Sequence, residues 1–405
     1  MAGSAVGIGF SAQIFIASGY TIVAAALGKA MGWSIGELAP GATLFLLAQV
    51  AGYPIVGVLL DRFGTRRVAA AGIVAFGLLL LALSRVTSIW QFYGLMLVMG
   101  LVGPATYTLS YLRALSLWFE RRRGLAIGLA AGGIALGAVT MPVGLQRIVV
   151  GFDWSAALVA LALVELLLCL PIVFLLVRDD PAELGLRADG DPTAPQPTKM
   201  SVQPPDRASA PALSVAQALR TLDFWLLGTV YFITGLAVYG VITNTVYILS
   251  ETAARLTTDQ VAVVQAVGGA AVLVGRVAGG YALDHLNTRA IAAAMVLLLT
   301  AALLGYAFAS SLGVVLVSAM ALGFATGGEG DVLPYMAIKY FGLEAFGKIY
   351  GLLGALFAIG TGLGPITYAG LYSLWQQPTV PLVILAAATG ASSLVFLWVG
   401  RRVPG

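Results

Sequence analysis

The sequence predicts an all-α membrane protein in which twelve transmembrane helices form two pseudo-symmetric six-helix bundles, and three observations carry that prediction. The first is composition: of 405 residues, 60% are hydrophobic and 10% charged, with a mean hydropathy of +0.95, which no ordinary soluble domain shows. The second is segment length. A spanning helix needs about 20 mainly apolar residues, and the chain carries twelve such runs, six on each side of its one long polar stretch. The third is repetition: Gly57, Asp61, Thr65 and Arg66 recur as Gly280, Asp284, Thr288 and Arg289, and Gly124, Gly128, Gly137 and Pro142 recur as Gly347, Gly351, Gly360 and Pro365, all displaced by the same 223 positions. Two separate stretches agreeing on one register make each half a copy of the other.

In chain order the runs lie near 4–30, 39–60, 67–85, 89–117, 123–147, 154–177, 222–249, 258–284, 289–309, 312–338, 346–373 and 379–400. Run 1 begins almost at Met1 and is long enough to span, so it reads as a helix and not as a cleavable signal. Runs 2 and 3 meet at the basic stretch GVLLDRFGTRR, and runs 8 and 9 meet at its partial copy, GYALDHLNTR. Run 5 carries Gly124, Gly128 and Gly132 at four-residue steps, with Gly133 and Gly137 repeating the step. Run 11 carries Gly347, Gly351, Gly354 and Gly360 before Pro365. Small residues let helix backbones approach closely in a bilayer, and smooth glycine faces would let one bundle rock against the other, with Pro142 and Pro365 as matched kinks. Residues 178–221, with seven prolines and scattered charges, cannot bury enough apolar surface to fold. They predict a cytoplasmic linker between an N-terminal bundle over 1–177 and a C-terminal bundle over 222–405.

Charge placement predicts orientation. Taking the loops alternately, one side receives sixteen basic residues: Arg62, Arg66, Arg67, Arg121, Arg122, Arg123, Arg178, Arg187, Lys199, Arg207, Arg220, Arg289, Lys339, Lys348, Arg401 and Arg402. The other side receives Lys29, Arg85, Arg147 and Arg255. The positive-inside rule then puts both termini and the linker in the cytoplasm of a cell, or inner, membrane. The net charge of +4 is thus a matter of topology and not a sign of nucleic-acid binding. One cysteine, Cys169, excludes an internal disulfide and a cysteine-based metal site. The single histidine, His285, lies in a loop. Neither metal nor cofactor is expected, and no grouped nucleophiles suggest an enzyme.

The stretch from Gly57 through Asp61, Arg62, Gly64, Arg66 and Arg67, with its echo at Gly280, Asp284 and Arg289, resembles the signature loop of the major facilitator superfamily. An ordinary basic loop explains the arginines but neither the Gly-x-x-x-Asp spacing nor the echo. Physically, the aspartate can face a helix N-terminus while the arginines reach carbonyls or lipid phosphates. These residues therefore read as a conformational latch. Residues 118–133, WFERRRGLAIGLAAGG, resemble the helix 5 signature of the monocarboxylate transporter family. That family, with the related oxalate–formate antiporters, carries an arginine in helix 8 ahead of Gly and Asp, where this chain has Arg276 before Gly280 and Asp284. The resemblance implies alternating access between two bundles and a small organic anion as substrate. It is partial: the only lysine of run 1, Lys29, lies at its outer end, and run 11 has Lys348 only at its mouth, so one deep cation suits one carboxylate.

Two basic residues remain inside the membrane, Arg113 and Arg276, where a charge is costly and faces a cavity or a partner. Arg276 lies eight residues before Asp284, roughly 12 Å along a helix, near the midplane of a core about 30 Å thick. Its planar guanidinium can grip a carboxylate with two parallel bonds. A structural ion pair with a carboxylate of run 10 is the plainer alternative. Arg113 reads as an organiser of the rim. Run 10 supplies Glu329 and Asp331, candidates for proton coupling or for pairing with Arg276, and then Tyr335. Glu165, midway along run 6, finds no account beyond a hydrogen bond. Tyr107 and Tyr111, at i and i+4, and Asn244 and Tyr247, at i and i+3, share helix faces and join Arg276 as candidate substrate ligands. The expectation is a secondary transporter of lactate- or pyruvate-like monocarboxylates, proton-coupled, working as a monomer in the bilayer. Exchange of the oxalate–formate type, or efflux of another small molecule, is the alternative.

Overall fold

The computed structural model describes residues 1–119, 122–186, 188–190, 213–245, 248–249, 256, 258–342 and 345–399. Tyr247 among the candidate ligands lies outside them, as do Arg121, Arg187, Lys199, Arg207, Arg255, Arg401 and Arg402 of the charge tally. All regular elements among the described residues are helical. Twelve of them are long and apolar enough to cross a membrane: α1 Ala2–Met31, α2 Pro40–Phe63, α3 Thr65–Leu83, α4 Ile89–Trp118, α5 Arg123–Gly151, α6 Trp154–Leu176, α7 Leu222–Ile242, α8 Val263–His285, α9 Thr288–Ala307, α10 Leu312–Phe341, α11 Phe346–Trp375 and α12 Thr379–Phe396. The stretch predicted as linker is partly built. It holds a short 3₁₀ turn, Pro181–Leu184, and a helix, Val215–Arg220, closed at its start by a capping box of Ser214 and Gln217.

The chain divides into two compact units, Met1–Gln203 with Phe346–Ala355, and Pro204–Ala345 with Leu356–Gly405. The first unit therefore includes the opening turns of α11. Its core is aliphatic and aromatic, with Phe15, Phe45, Phe76, Phe92, Met96 and Met99 fully buried. Within it α1 packs on α5, and α2 on the first part of α4. Gly57 of α2 and Gly347 of α11 are backbone to backbone, and a Cβ on either would fall on the other's carbonyl oxygen. Three of its helices are irregular inside the membrane. α1 breaks at Phe10 and Ser11, where Ser11 is extended, and then winds into a wide π turn at Phe15–Gly19. α4 tightens into a 3₁₀ turn at Gly103–Thr106 and leaves Tyr107 extended before resuming at Thr108. The Ala12 N–H freed by the first break donates to Thr106 Oγ1 of the second, 3.1 Å away. α6 carries a π turn at Val164–Cys169.

In the second unit, α8 and α10 form the most extensive pairing, and α9 packs on α10 and α12. Glycine accounts for the closeness of α8 to α10. A Cβ on Gly327 would meet the Val272 carbonyl, and one on Gly275 would meet the Phe324 carbonyl. Glycines on α5 and α11 behave similarly within their own units: Gly133 and Gly137 lie against α1, and Gly360 and Gly364 against α7. Of the predicted gliding faces, Gly133, Gly137, Gly360 and Gly364 are therefore helix-packing seams, whereas Gly347, Gly351 and Gly354 at the start of α11 lie against α2.

Candidate functional site

The site begins with the α8–α10 seam. Because no side chain separates the two backbones at Gly275 and Gly327, Arg276 emerges directly beside α10, and the missing Cβ at Gly330 leaves space for its guanidinium. Arg276 Nη1 donates to Asp331 Oδ1 at 3.1 Å, with the two side chains 13% and 1% exposed. The pair is engaged on one edge only. Arg276 Nε and Asp331 Oδ2 are both buried with no hydrogen-bond partner, so a bidentate grip, the stronger arrangement for this pair of groups, is not used up between them. Glu329, 6% exposed, sits two residues before Asp331. The Thr234 hydroxyl of α7, which donates to Val230 O at 2.9 Å, lies beside its carboxyl, while Tyr231 donates to its main-chain carbonyl at 3.4 Å. Tyr239, also on α7, lies within electrostatic range of Arg276. The structural ion pair is thus formed, and it retains the donor and acceptor capacity that a ligand or a proton would use.

Sequence reasoning missed Thr234, Tyr231 and Tyr239. They belong to α7, whose polar residues are too few for periodicity to single them out, though Tyr231, Thr234 and Tyr239 do fall at helical spacings. Asn244 was expected to face the site, but its amide donates to Gly240 O at 2.8 Å and to Thr243 Oγ1 at 3.3 Å, so it closes the end of its own helix. Tyr335 is buried on α10, one turn beyond Asp331.

Tyr107 and Tyr111 belong to the first unit, and the expected shared face is a correction. Tyr107 is the extended residue at the break, and its ring meets Tyr53 of α2 edge to face at 6.0 Å. Tyr111, fully buried, points its unpartnered hydroxyl at Gly7 of α1 and acts electrostatically on Glu165 and Cys169 of α6. A helix interrupted between them cannot hold the i, i+4 register. Glu165, 1% exposed with Oε1 unpartnered, shares that buried polar spot.

The loop motif resolves into distinct tasks. Asp61 accepts two backbone N–H bonds at the start of α11, from Gly347 at 2.9 Å and Lys348 at 3.0 Å, so its carboxylate caps the positive end of a 30-residue helix. Arg113 of α4 donates to Leu60 O at 3.1 Å and faces Asp61. Gly64 has φ +81, a region closed to other residues, and lies against the Asp179 carboxylate, whose Oδ1 caps α3 by accepting from Arg66 N at 2.9 Å. At the equivalent place in the repeat stands Asn287, which caps α9 with its own side chain. Arg62 lies over the Phe63 ring at 5.1 Å, Arg67 is exposed, and Asp284 is half-buried at the end of α8. The stretch assigned to helix 5 straddles the α4–α5 junction: Trp118 Nε1 donates to Arg178 O, and Arg123 donates to Phe119 O and Ser116 O. Among the described residues no three potential metal ligands cluster.

Twelve apolar helices mark a multi-pass membrane protein, with an Arg–Asp pair buried between two of them. The chain belongs to the major facilitator superfamily, whose model matches residues 6–328. It is 29% identical over 328 residues to the MFS transporter asaE of Aspergillus flavus, covering 78% of this chain and 66% of that protein. It is 32% identical over 149 residues to the Fujikurins efflux protein of Gibberella fujikuroi, covering 35% of this chain and 31% of that protein. The matches thus span less than two thirds of these relatives. In fold it is similar to the human organic anion transporter MFSD10, with TM-score 0.69, 16% identity and 98% of each chain covered. The relatives named here are fungal MFS and efflux proteins, and neither name refers to monocarboxylate or oxalate.

Proposed function

We propose that this chain exports a small organic acid by alternating access, with a proton travelling on Asp331 or Glu329 and the acid held by Arg276. The observation that carries the reading is the one-edged Arg276–Asp331 pair inside the membrane. While Asp331 is ionised it neutralises the guanidinium. A proton on Asp331 removes that competitor, and the freed guanidinium can take a carboxylate with two parallel bonds. Proton and anion then cross together, in whichever direction their combined gradients dictate. Export is favoured over uptake because one of the relatives is named as an efflux protein. The orientation, with both termini and residues 178–221 cytoplasmic in a cell membrane, follows the charge pattern. Asp61 serves as the latch, since it caps α11, a helix divided between the two units.

The second reading is uptake of a lactate- or pyruvate-like monocarboxylate, or exchange of the oxalate–formate type, and the stretch over 118–133 favours it. Proteoliposomes preloaded with labelled organic acids, given imposed pH gradients of either sign, separate proton-coupled movement from exchange. Export with protons predicts efflux accelerated by an acidic lumen. Strict exchange predicts efflux only when acid is present outside. Efflux driven by an acidic exterior would replace both with proton antiport.

A further inference from the structure

On the outer face of the first unit, α3 and α6 leave an open groove of about 700 Å³ lined only by apolar side chains, among them Ala71, Val74 and Leu78 of α3 and Leu166, Leu170 and Phe174 of α6. Its cause is local. The π turn at Val164–Cys169 directs Glu165 and Cys169 into the core and leaves Leu166 and Leu170 as the outer wall, while alanines on α3 fill none of the space opposite.

One end of the groove is charged. Arg66 stacks its guanidinium 4.0 Å over the Phe174 ring and donates from Nε to Phe174 O at 2.7 Å, which fixes the wall there. Arg67 lies one turn before Ala71, and the series Arg67, Ala71, Val74, Leu78 runs along one helix face at three- and four-residue steps. Arg67 is exposed, and no described residue pairs with it. The neighbouring Asp179 carboxylate is already engaged with Arg66 N.

We infer that this groove binds one phospholipid with an anionic headgroup, its phosphate against Arg67 and one acyl chain laid along α3 and α6. Length supports the occupant: from Arg67 to Leu78 is roughly 16 Å of helix, and half of a hydrocarbon core about 30 Å thick is one leaflet. Charge supports it too, since a cytoplasmic leaflet is rich in anionic lipid and Arg67 stands on the side to which the charge pattern assigns the cytoplasm. The proposal rests on that orientation and is independent of the transported substrate.

Native mass spectrometry of the purified full chain, titrated with phosphatidylglycerol or with phosphatidylcholine of identical acyl chains, tests it. Phosphatidylglycerol should be retained about fivefold more than phosphatidylcholine, the worth of one arginine at a lipid surface. Arg67→Ala should abolish that preference, and Ala71→Leu, which fills the groove, should lower retention of both lipids. Arg85→Ala, at the opposite end of α3, should change neither. Ala75→Leu serves as the second groove-filling variant, with thermal melts confirming that each protein is folded. Equal retention of the two lipids, or a preference that survives Arg67→Ala, overturns the proposal. So does a dimer that Ala71→Leu disrupts without altering lipid retention, which would make the groove a self-association face.

Discussion

Arg276 concentrates the argument at the scale of single residues. Its depth was legible from its distance to Asp284, and its partner from the presence of two acids on the next long apolar run but one. What could not be read was which acid it meets, because Glu329 and Asp331 lie on different faces of α10 and only the seam with α8 decides between them. The seam presents Asp331 to Arg276 and turns Glu329 towards Thr234 of α7. Arg276→Lys keeps the charge but loses the fork, so its substrate affinity in a binding titration should fall about tenfold, as expected for roughly 1.4 kcal/mol of lost hydrogen bonding to a charged group. Arg276→Ala should abolish binding of the acid, and unchanged affinity in that variant would remove Arg276 from the site. Asp331→Asn should retain exchange of substrate for substrate while losing accumulation driven by a pH gradient, since exchange requires only reorientation of the loaded carrier. Glu329→Gln should do so only if Glu329 shares the proton. Accumulation that persists in both variants would place the proton elsewhere in the molecule.

At the scale of elements, helix existence and order were legible because twelve runs of apolar residues leave little choice. The interruptions were less so. Gly103-Pro104 marks the second break in the sequence, but the two breaks are stabilised by one another through the bond from Ala12 N to Thr106, a long-range contact that no periodicity contains. For the same reason the Tyr107 and Tyr111 face failed. The glycine ladders were visible, but their partners emerge only in three dimensions, as the α8–α10 seam shows. Gly327→Ala would place a methyl on the Val272 carbonyl and should lower stability by about 1–3 kcal/mol, the usual cost of overpacking. A melt in detergent checks this, and an unchanged midpoint would mean the seam is looser than described. Asp61→Asn removes a charge from the α11 N-terminus, an interaction of about 1–2 kcal/mol in a partly buried setting. Transport should slow while equilibrium substrate binding stays nearly intact. A large loss of binding with normal turnover between conformations would show Asp61 to be part of the binding site instead.

At the scale of the whole molecule, the duplicated architecture and the family follow from residues spread along the chain, whereas direction and substrate depend on a few side chains and on gradients outside the protein. Orientation is the property that links the two, because export and uptake are defined only once one side is named. The sequence offers a clean way to measure it. Cys169 is the single cysteine and is fully buried, so in intact cells a membrane-impermeant thiol reagent should leave the unmodified chain unlabelled. Arg85 and Arg62 are exposed and lie at opposite ends of the first unit's helices, after α3 and at the close of α2. If the arginine-rich side is cytoplasmic, Arg85→Cys should label in intact cells, and Arg62→Cys should label only after the membrane is permeabilised. Both substitutions fall on exposed ends and leave the buried seams untouched, so expression and melting should match the parent chain. Labelling of Arg62→Cys from outside would reverse the orientation and move Arg67 and its lipid groove to the outer leaflet, while net transport would still follow the combined gradients.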